Sequence, residues 1–237
     1  MLPVMHIVVI QFDADKDLGL LKQPLLDLGC DVDVRLAPAR PISLDGVDGL
    51  IVLGGLANPD DDDPAVAVAQ AACADALARP VPVLGICLGA ELLAVAAGAE
   101  APRCEAEFGF RTVRLEPAAG DDPLLRDLPV TFPVFEAHGY TWEPPAGSTV
   151  LAHTELTRQA FHLPPMAWGV QFHFEADEAT LRHLAGSEPT ASVFTAHGVD
   201  LEEFVARSGD VTAAWVEGAT AIARGFTGVI ANTNARR

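Results

Sequence analysis

The chain has 237 residues, which is enough for one large domain with its own hydrophobic core. Asp and Glu outnumber Lys and Arg by 33 to 15, and the resulting net charge of −18 opposes binding to phosphate backbones and to anionic lipid. No apolar run reaches the ~18 residues that a membrane-spanning helix needs. We therefore predict neither a nucleic-acid partner nor a membrane partner.

The cysteines and the first residues indicate a reducing compartment. The chain begins without a basic leader and a small-residue cleavage site, and its four cysteines have neither the CxxC spacing of zinc sites nor the density of a disulfide scaffold. The run of four aspartates at 60–63 precedes a predicted helix and is typical of a solvated cap. We expect a cytoplasmic protein with no metal and no cofactor.

Strands and helices alternate through the first hundred residues. In chain order, the pattern predicts a strand HIVVIQF, a helix over 18–28, strands DVDVRLA and DGLIVLGG, a helix ending before Pro80, and a strand VPVLGI. Another helix follows immediately after Cys87. This alternation predicts an α/β fold with a doubly wound, mostly parallel central sheet, helices on both faces, and ligands beyond the carboxyl ends of the strands.

The second half of the chain is rich in shorter strands and then in helices. Strands are predicted in FRTVRLEP, over 131–136, in STVLAHTE and in MAWGVQFHFE, as a small β-rich insertion. From Asp177 onward we expect mostly helices. We divide the chain into residues 1–180 and a helical C-terminal extension, 181–237, packed on the same domain.

Cys87 stands between two glycines where a strand becomes a helix, in GICLG. Small neighbours permit a sharp turn there, and the helix N-terminus favours the negatively charged thiolate. These are the surroundings of a nucleophile. The alternative is a buried cysteine chosen for its size.

A histidine and a carboxylate lie two residues apart in WGVQFHFE. Strand alternation would place His173 and Glu175 on one face. A cysteine nucleophile needs a base that takes up and returns its proton, and the base needs an acceptor that fixes its tautomer. His173 and Glu175 supply these two residue types, although such a pair alone is more often a surface pair.

Together, GICLGAE and VQFHFE resemble the elbow G-[IV]-C-x-G-x-Q and the segment V-Q-F-H-P-E of the triad-type class I glutamine amidotransferases. The segments LIVLGG, EFGF and AHGY extend the resemblance over residues 5–180, and it is greatest to free-standing relatives of the GMP synthase amidotransferase domain. The resemblance implies a flavodoxin-like fold whose catalytic domain is residues 1–180. It also implies release of ammonia from glutamine through a γ-glutamyl thioester on Cys87, with His173 shuttling the proton and Glu175 orienting it.

The resemblance implies further roles. Backbone N–H groups of Gly55 and Leu88 would form the oxyanion hole. Gly139 and Tyr140, in AHGY, would contact the glutamine α-carboxylate, whereas His138 could equally make only a structural hydrogen bond. The chain contains no P-loop, so the synthetase that uses the ammonia would be a separate polypeptide.

Glu91 departs from the family pattern, which has glutamine four residues after the nucleophile. Residues i and i+4 share a helix face, so this carboxylate would lie beside the thiol and oppose thiolate formation. The γ-glutamyl hydrolases have glutamate there, in G-T-C-x-G-x-E. An alternative function is therefore hydrolysis of a γ-glutamyl amide or peptide without a partner. Two other departures, Leu56 and Phe174, affect loop rigidity more than chemistry.

Two further alternatives stay open at the level of sequence. Stress-response relatives in the same superfamily use an elbow cysteine for redox sensing or glyoxalase-like chemistry, but that branch lacks a VQFHxE segment. A catalytically silent regulator would also keep the fold, with Glu91 disabling the thiol.

Overall fold

A computed structural model describes residues 4–236. Residues 1–3, which begin the segment interpreted as the first strand, and residue 237, the end of the predicted tail, lie outside the described part. The strands are β1 Met5–Gln11, β2 Cys30–Leu36, β3 Gly49–Val52, β4 Val83–Ile86, β5 Arg103–Leu115, β6 Thr131–Tyr140, β7 Thr149–His153, β8 Arg158–Leu163 and β9 Ala167–Val170. The α-helices are α1 Lys22–Asp27, α2 Pro64–Ala78, α3 Leu88–Ala96, α4 Glu178–Gly186, α5 Thr190–Ala196 and α6 Leu201–Asn234.

All these strands form one sheet, in the order β2-β1-β3-β4-β9-β8-β7-β5-β6. The pairs from β2 to β9 are parallel, and those from β9 to β6 are antiparallel. The predicted α/β fold with a doubly wound sheet is confirmed. The β-rich segment continues the same sheet, however, so in the described residues the sheet is evenly mixed.

The parallel strands are apolar on both faces, as expected for strands covered by helices on each side. In β1, Ile7 and Val9 belong to one core cluster, and Val8 and Ile10 belong to another. The first cluster packs against α1, α4 and α6, and the second against α2 and α3. The carboxyl ends of β3 and β4 thereby meet at one buried edge.

The helices predicted from Asp177 onward are present, and α6 is 34 residues long. Its Trp215 indole N–H donates to the Pro133 carbonyl, and the Asn234 side-chain amide donates to Asp48 at 2.9 Å. The division at residue 180 falls inside α4 and stays a prediction. Among the described residues, no helix combines the length and the apolarity that crossing a membrane requires.

The structure differs from the sequence prediction at three places. Strand β8 was not predicted from the sequence. The helix expected over 18–28 consists of a 3₁₀ turn, Gly19–Leu21, and the short α1. Strand β9 ends at Val170, so His173 lies beyond it and joins the sheet through an isolated antiparallel bridge to Phe135.

Helix α3 packs directly against the backbone of β3. A Cβ atom on Gly89 would lie 2.0 Å from the Val52 carbonyl oxygen, and one on Gly85 would lie 2.4 Å from the Gly89 carbonyl oxygen. Real Cβ atoms do not approach backbone this closely, so any side chain at either position would push the helix away from the sheet.

Replacing Gly89 by alanine should lower the free energy of unfolding by at least ~2 kcal/mol, because the added methyl group has no space. The matched control is Gly228→Ala in α6, where a Cβ atom would meet nothing within 4 Å. The control should raise stability by up to ~1 kcal/mol, since alanine favours a helix over glycine. Urea unfolding measures both, and equal effects would contradict the packing of α3.

Candidate active site

Cys87 lies at a strained turn between β4 and α3. Its φ and ψ are 52° and −113°, in a region that residues other than glycine rarely adopt. Its N–H donates to the Val170 carbonyl at 2.8 Å, which fixes the turn to the end of β9. The flanking Gly85 and Gly89 let helix and strands approach closely. The predicted elbow is therefore observed in backbone geometry.

His173 and Glu175 form a hydrogen-bonded pair beside this turn. The His173 Nδ1 atom is 2.7 Å from Glu175 Oε1, and since a carboxylate only accepts, Nδ1 carries the proton. Glu175 also accepts from the Phe174 N–H at 3.0 Å, and the His173 N–H donates to the Phe135 carbonyl at 2.9 Å. Both side chains are thus held in place.

The imidazole of His173 lies near Cys87, because a Cβ atom on Gly54 would meet the ring and the Cys87 side chain together. Burial opposes a charge on the ring, but the attraction of Glu175 and of Cys87 outweighs it and raises the pKa of His173 well above its ordinary value. Glu175 occupies Nδ1, so Nε2 remains for the thiol. The ring is therefore suited to hold a proton next to the sulfur.

The two glycines after β3 lie against this pair. A Cβ atom on Gly54 would be 2.8 Å from His173 Cε1 and 3.2 Å from Cys87 Cβ, so no side chain fits between them. One on Gly55 would be 2.7 Å from Phe12 Cβ. The backbone N–H of the next residue, Leu56, donates a hydrogen bond of 2.9 Å to the Asp13 carboxylate and holds the loop after β3 in place.

Leu88 occupies the first position of α3. The N–H groups of a helix's first turn have no partner within the helix, so they are available to a negatively charged atom. This N–H directly follows Cys87 in the chain. The oxyanion-hole role that the resemblance implies for this N–H stays a prediction.

Glu91 lies one helical turn after Cys87 and is 3 % exposed. Its Oε1 accepts a hydrogen bond of 2.9 Å from the Gln171 amide, whose nitrogen is also 3.8 Å from the Cys87 sulfur. Burial raises the pKa of Glu91 to about 6, although Gln171 and the neighbouring His138 and His173 lower it. Gln171 therefore connects Cys87 to the family-atypical carboxylate.

Gln171 was not among the site residues predicted from the sequence. The available signal was its position two residues before His173, within VQFHFE. What the sequence could not show is that the side chain is completely buried and bonds to a residue 80 positions away.

Gly139 and Tyr140 lie at the end of β6. The Tyr140 hydroxyl donates to Asp60 at 2.7 Å, and its ring lies under the Arg103 guanidinium, 4.6 Å from it. Tyr140 thus ties β6 to the acidic turn after β3. Neither residue lines the cavity beside His173.

His138 belongs to a buried polar cluster formed by side chains of β5 and β6. Its Nδ1 atom donates to the Tyr140 carbonyl at 2.7 Å, and its Nε2 atom is 3.3 Å from Glu136 and 3.6 Å from Glu107. Burial opposes its charge, but these partners and Cys104 raise the pKa of His138 well above its ordinary value. His138 thus makes structural contacts, which is one of the two roles considered for it from the sequence.

Two of the aspartates at 60–63 accept hydrogen bonds from backbone N–H groups at the start of α2 and in the turn before it. Asp63 accepts from the Ala65 N–H at the start of α2, and Asp61 accepts from the Asn58 N–H, both at 2.7 Å. Within residues 4–236, no three His, Cys, Asp or Glu side chains are grouped to hold a metal ion.

The fold and this site define an α/β amidotransferase-type protein with a cysteine at a strand-to-helix elbow. The model of the class I glutamine amidotransferase family matches residues 16–185, and the chain belongs to this family. The family resemblance found in the sequence is confirmed.

Similar proteins agree with this assignment. The chain is 32 % identical over 159 residues to one subunit of a glutamine-hydrolysing GMP synthase from Haloarcula marismortui, covering 66 % of this chain and 78 % of the relative. A glutamine amidotransferase from Methylobacillus flagellatus superposes with a TM-score of 0.85 at 24 % identity, covering 96 % of each chain. One from Thermotoga maritima gives 0.82 at 21 % identity, over 93 % and 96 % of the chains. At these identities the two structures support the fold.

Replacing Glu91 by glutamine should raise the free energy of unfolding by about 2 kcal/mol at pH 8. The pKa of Glu91 rises from 4.5 to about 6 on folding, so folding takes up a proton, and the parent's stability falls as pH rises through that window. A glutamine side chain at this position would keep the bond from Gln171 without the buried charge. Urea unfolding at several pH values measures the difference.

At pH 5 the gain should be less than half of its value at pH 8, because most of the destabilising ionisation occurs above that pH. The matched control is Glu217→Gln, at an exposed position in α6, which should change stability by less than ~0.5 kcal/mol at either pH. A gain from Glu91→Gln that does not vary with pH would show that ionisation of Glu91 is not its cause.

Proposed function

We propose that this class I glutamine amidotransferase hydrolyses the side-chain amide of glutamine, with Cys87 as the nucleophile, His173 as the general base and acid, and Glu175 as the residue that orients His173. One observation carries the proposal. The strained elbow presents Cys87 to an imidazole whose other nitrogen is held by Glu175 at 2.7 Å. This is the arrangement that nucleophilic catalysis by cysteine requires.

In the first step, His173 takes up the proton of the Cys87 thiol, and the sulfur attacks the carbonyl carbon of the substrate amide. The negative charge that develops on the amide oxygen would be held by the N–H groups of Leu88 and Gly55. His173 then transfers its proton to the amide nitrogen as the carbon–nitrogen bond breaks. Ammonia leaves, and a γ-glutamyl thioester remains on Cys87.

In the second step, water attacks the thioester. His173 takes a proton from this water and returns it to the departing sulfur, while Glu175 stabilises the imidazolium. Glutamate leaves, and the thiol is restored. The raised pKa of His173 supports its role as the group that holds the proton between the steps.

We propose that Gly139, Tyr140 and Glu91 bind the amino-acid end of the substrate. The tie between Tyr140 and Asp60 would hold β6 and the turn after β3 at a constant separation across the substrate. Glu91, when ionised, offers a carboxylate to the substrate's positively charged α-amino group, and Gln171 holds that carboxylate in place.

We propose that a synthetase on a separate polypeptide uses the ammonia. The support is the name of the similar Haloarcula marismortui protein, which denotes one subunit of a GMP synthase and therefore one part of an assembly. All four cysteines lie in the described part and are free thiols, which fits the cytoplasmic location predicted from the sequence.

Replacing Cys87 by alanine should lower the release of ammonia from glutamine by about 10³-fold or more, and His173→Ala should lower it by a similar factor, because nucleophile and base act as one unit. The matched control is Cys73→Ala, since Cys73 is completely buried in the other core cluster. Ammonia release by a Cys87→Ala protein at the parent's rate would overturn the proposal.

A glutamine analogue that carries a diazoketone in place of the amide should alkylate Cys87 and inactivate the enzyme. Burial raises the pKa of Cys30 to about 11 and of Cys73 to about 12, so both thiols stay protonated and unreactive at neutral pH. Peptide mass spectrometry locates the label. Equal labelling of the buried cysteines would contradict selective activation of Cys87.

A second candidate function is hydrolysis of a γ-glutamyl amide or peptide without a partner. The observation that favours it is the buried Glu91, which stands where the amidotransferase pattern has glutamine. The two functions share the thioester chemistry and differ in the group attached to the substrate nitrogen. Comparing turnover of glutamine with turnover of substituted γ-glutamyl compounds separates them.

A further inference from the structure

A cavity of about 110 Å³ lies directly beside His173. His173, Glu175, Gly54 and Gly55 form one of its walls. The rest of the lining is mainly apolar and includes Leu56, Phe108, Phe135, Ala137, Val193 and Phe194. The last two belong to α5, which thus contributes to the lining of the cavity.

Because the cavity lies beside His173, it is placed to receive the leaving group of the substrate. His173 must touch the substrate nitrogen in order to give it a proton, so any substituent on that nitrogen extends into the space next to His173. Glutamine carries no such substituent and would leave the cavity unused. The α-amino and α-carboxylate groups of the glutamyl half are charged, and an apolar cavity offers them no compensation.

We propose that the enzyme cleaves γ-glutamyl amides whose nitrogen bears a small apolar group, and that this group occupies the cavity beside His173. The inference rests on the proposed role of Cys87 as the nucleophile. The carbon–nitrogen bond breaks as the thioester forms, His173 protonates the nitrogen, and a free amine leaves in place of ammonia. Water then releases glutamate, so no other reactant is needed.

The size of the cavity sets the size of the group. An apolar protein cavity of ~150 Å³ holds a benzene molecule, so 110 Å³ suits a branched chain of about four or five carbons. An isobutyl group fits this description and would contact the phenylalanine rings of the lining.

The charges at the cavity rim distinguish an amine from an amino acid as the leaving group. Lys16 is the one lysine or arginine among the described residues that line the cavity, and its ammonium is 3.5 Å from Asp13 and 3.3 Å from Asp15. Asp17 and Glu175 add further negative charge. A carboxylate on the leaving group would meet these acids without an unpaired cation, so the structure favours a neutral amine over a γ-glutamyl peptide.

The experiment compares L-glutamine, γ-L-glutamyl-isobutylamide and γ-L-glutamyl-L-leucine with the full-length protein, and follows glutamate, the product common to all three. We expect kcat/KM for the isobutylamide to exceed that for each of the other two at least tenfold, because only this substrate fills the cavity without adding a charge.

The possible results have different consequences. Glutamine turned over as well as the isobutylamide would overturn this inference and leave the proposed function intact. Equal turnover of the leucine peptide would overturn the preference for a neutral amine. Glutamate released from none of the three substrates would overturn the proposed function and the inference together.

Two variants test whether the cavity holds the substituent. Ala137→Leu fills it and should lower the ratio of kcat/KM for the isobutylamide to that for glutamine at least tenfold. Val193→Ala enlarges it and should shift the preference toward the larger γ-L-glutamyl-benzylamide. The matched control is Val216→Ala, an exposed valine on α6, which should leave both ratios unchanged. Unchanged ratios in both cavity variants would place the substituent elsewhere and overturn the inference.

Discussion

The close contact between α3 and the ends of β3 and β4 is the constraint on which the site depends. It requires glycine at 85 and 89, since a methyl group at either position would overlap backbone. The helix start is thereby fixed against the sheet, and Cys87 is forced to positive φ in the turn between them. Packing energy elsewhere in the core sustains this strained backbone, which presents the thiol to His173.

The parallel half of the sheet could be predicted from the sequence, because strands buried on both faces appear as uninterrupted apolar runs. Strand β8 could not be predicted from the sequence. Its Gln159 is polar yet wholly buried, since it bonds to Glu107, which lies 52 residues earlier in the chain. No local pattern encodes such a partner. The long extension of α6 was predictable as helix, but its contacts with β6 and β1 were not.

The elbow and the VQFHFE pair could also be predicted, because their residue types occur at spacings set by the chemistry. Strand alternation alone does not explain how His173 and Glu175 are positioned. His173 lies beyond β9, and the Phe135 carbonyl, rather than strand alternation, holds its backbone. Gln171 and the apolar cavity arise from contacts between distant segments, so single-sequence patterns could not locate them.

Helix α5 contributes to the lining of the cavity beside His173, and residues 190–196 lie beyond the segment 16–185 that the family model matches. Cys87, His173 and Glu175 lie within that segment, whereas part of the cavity lining comes from beyond it. Under the proposed binding of the leaving group in this cavity, mutations in α5 would change which amine fits while the strained elbow and its glycines stay intact. Such a division would let the accepted amine change while the reaction itself is preserved.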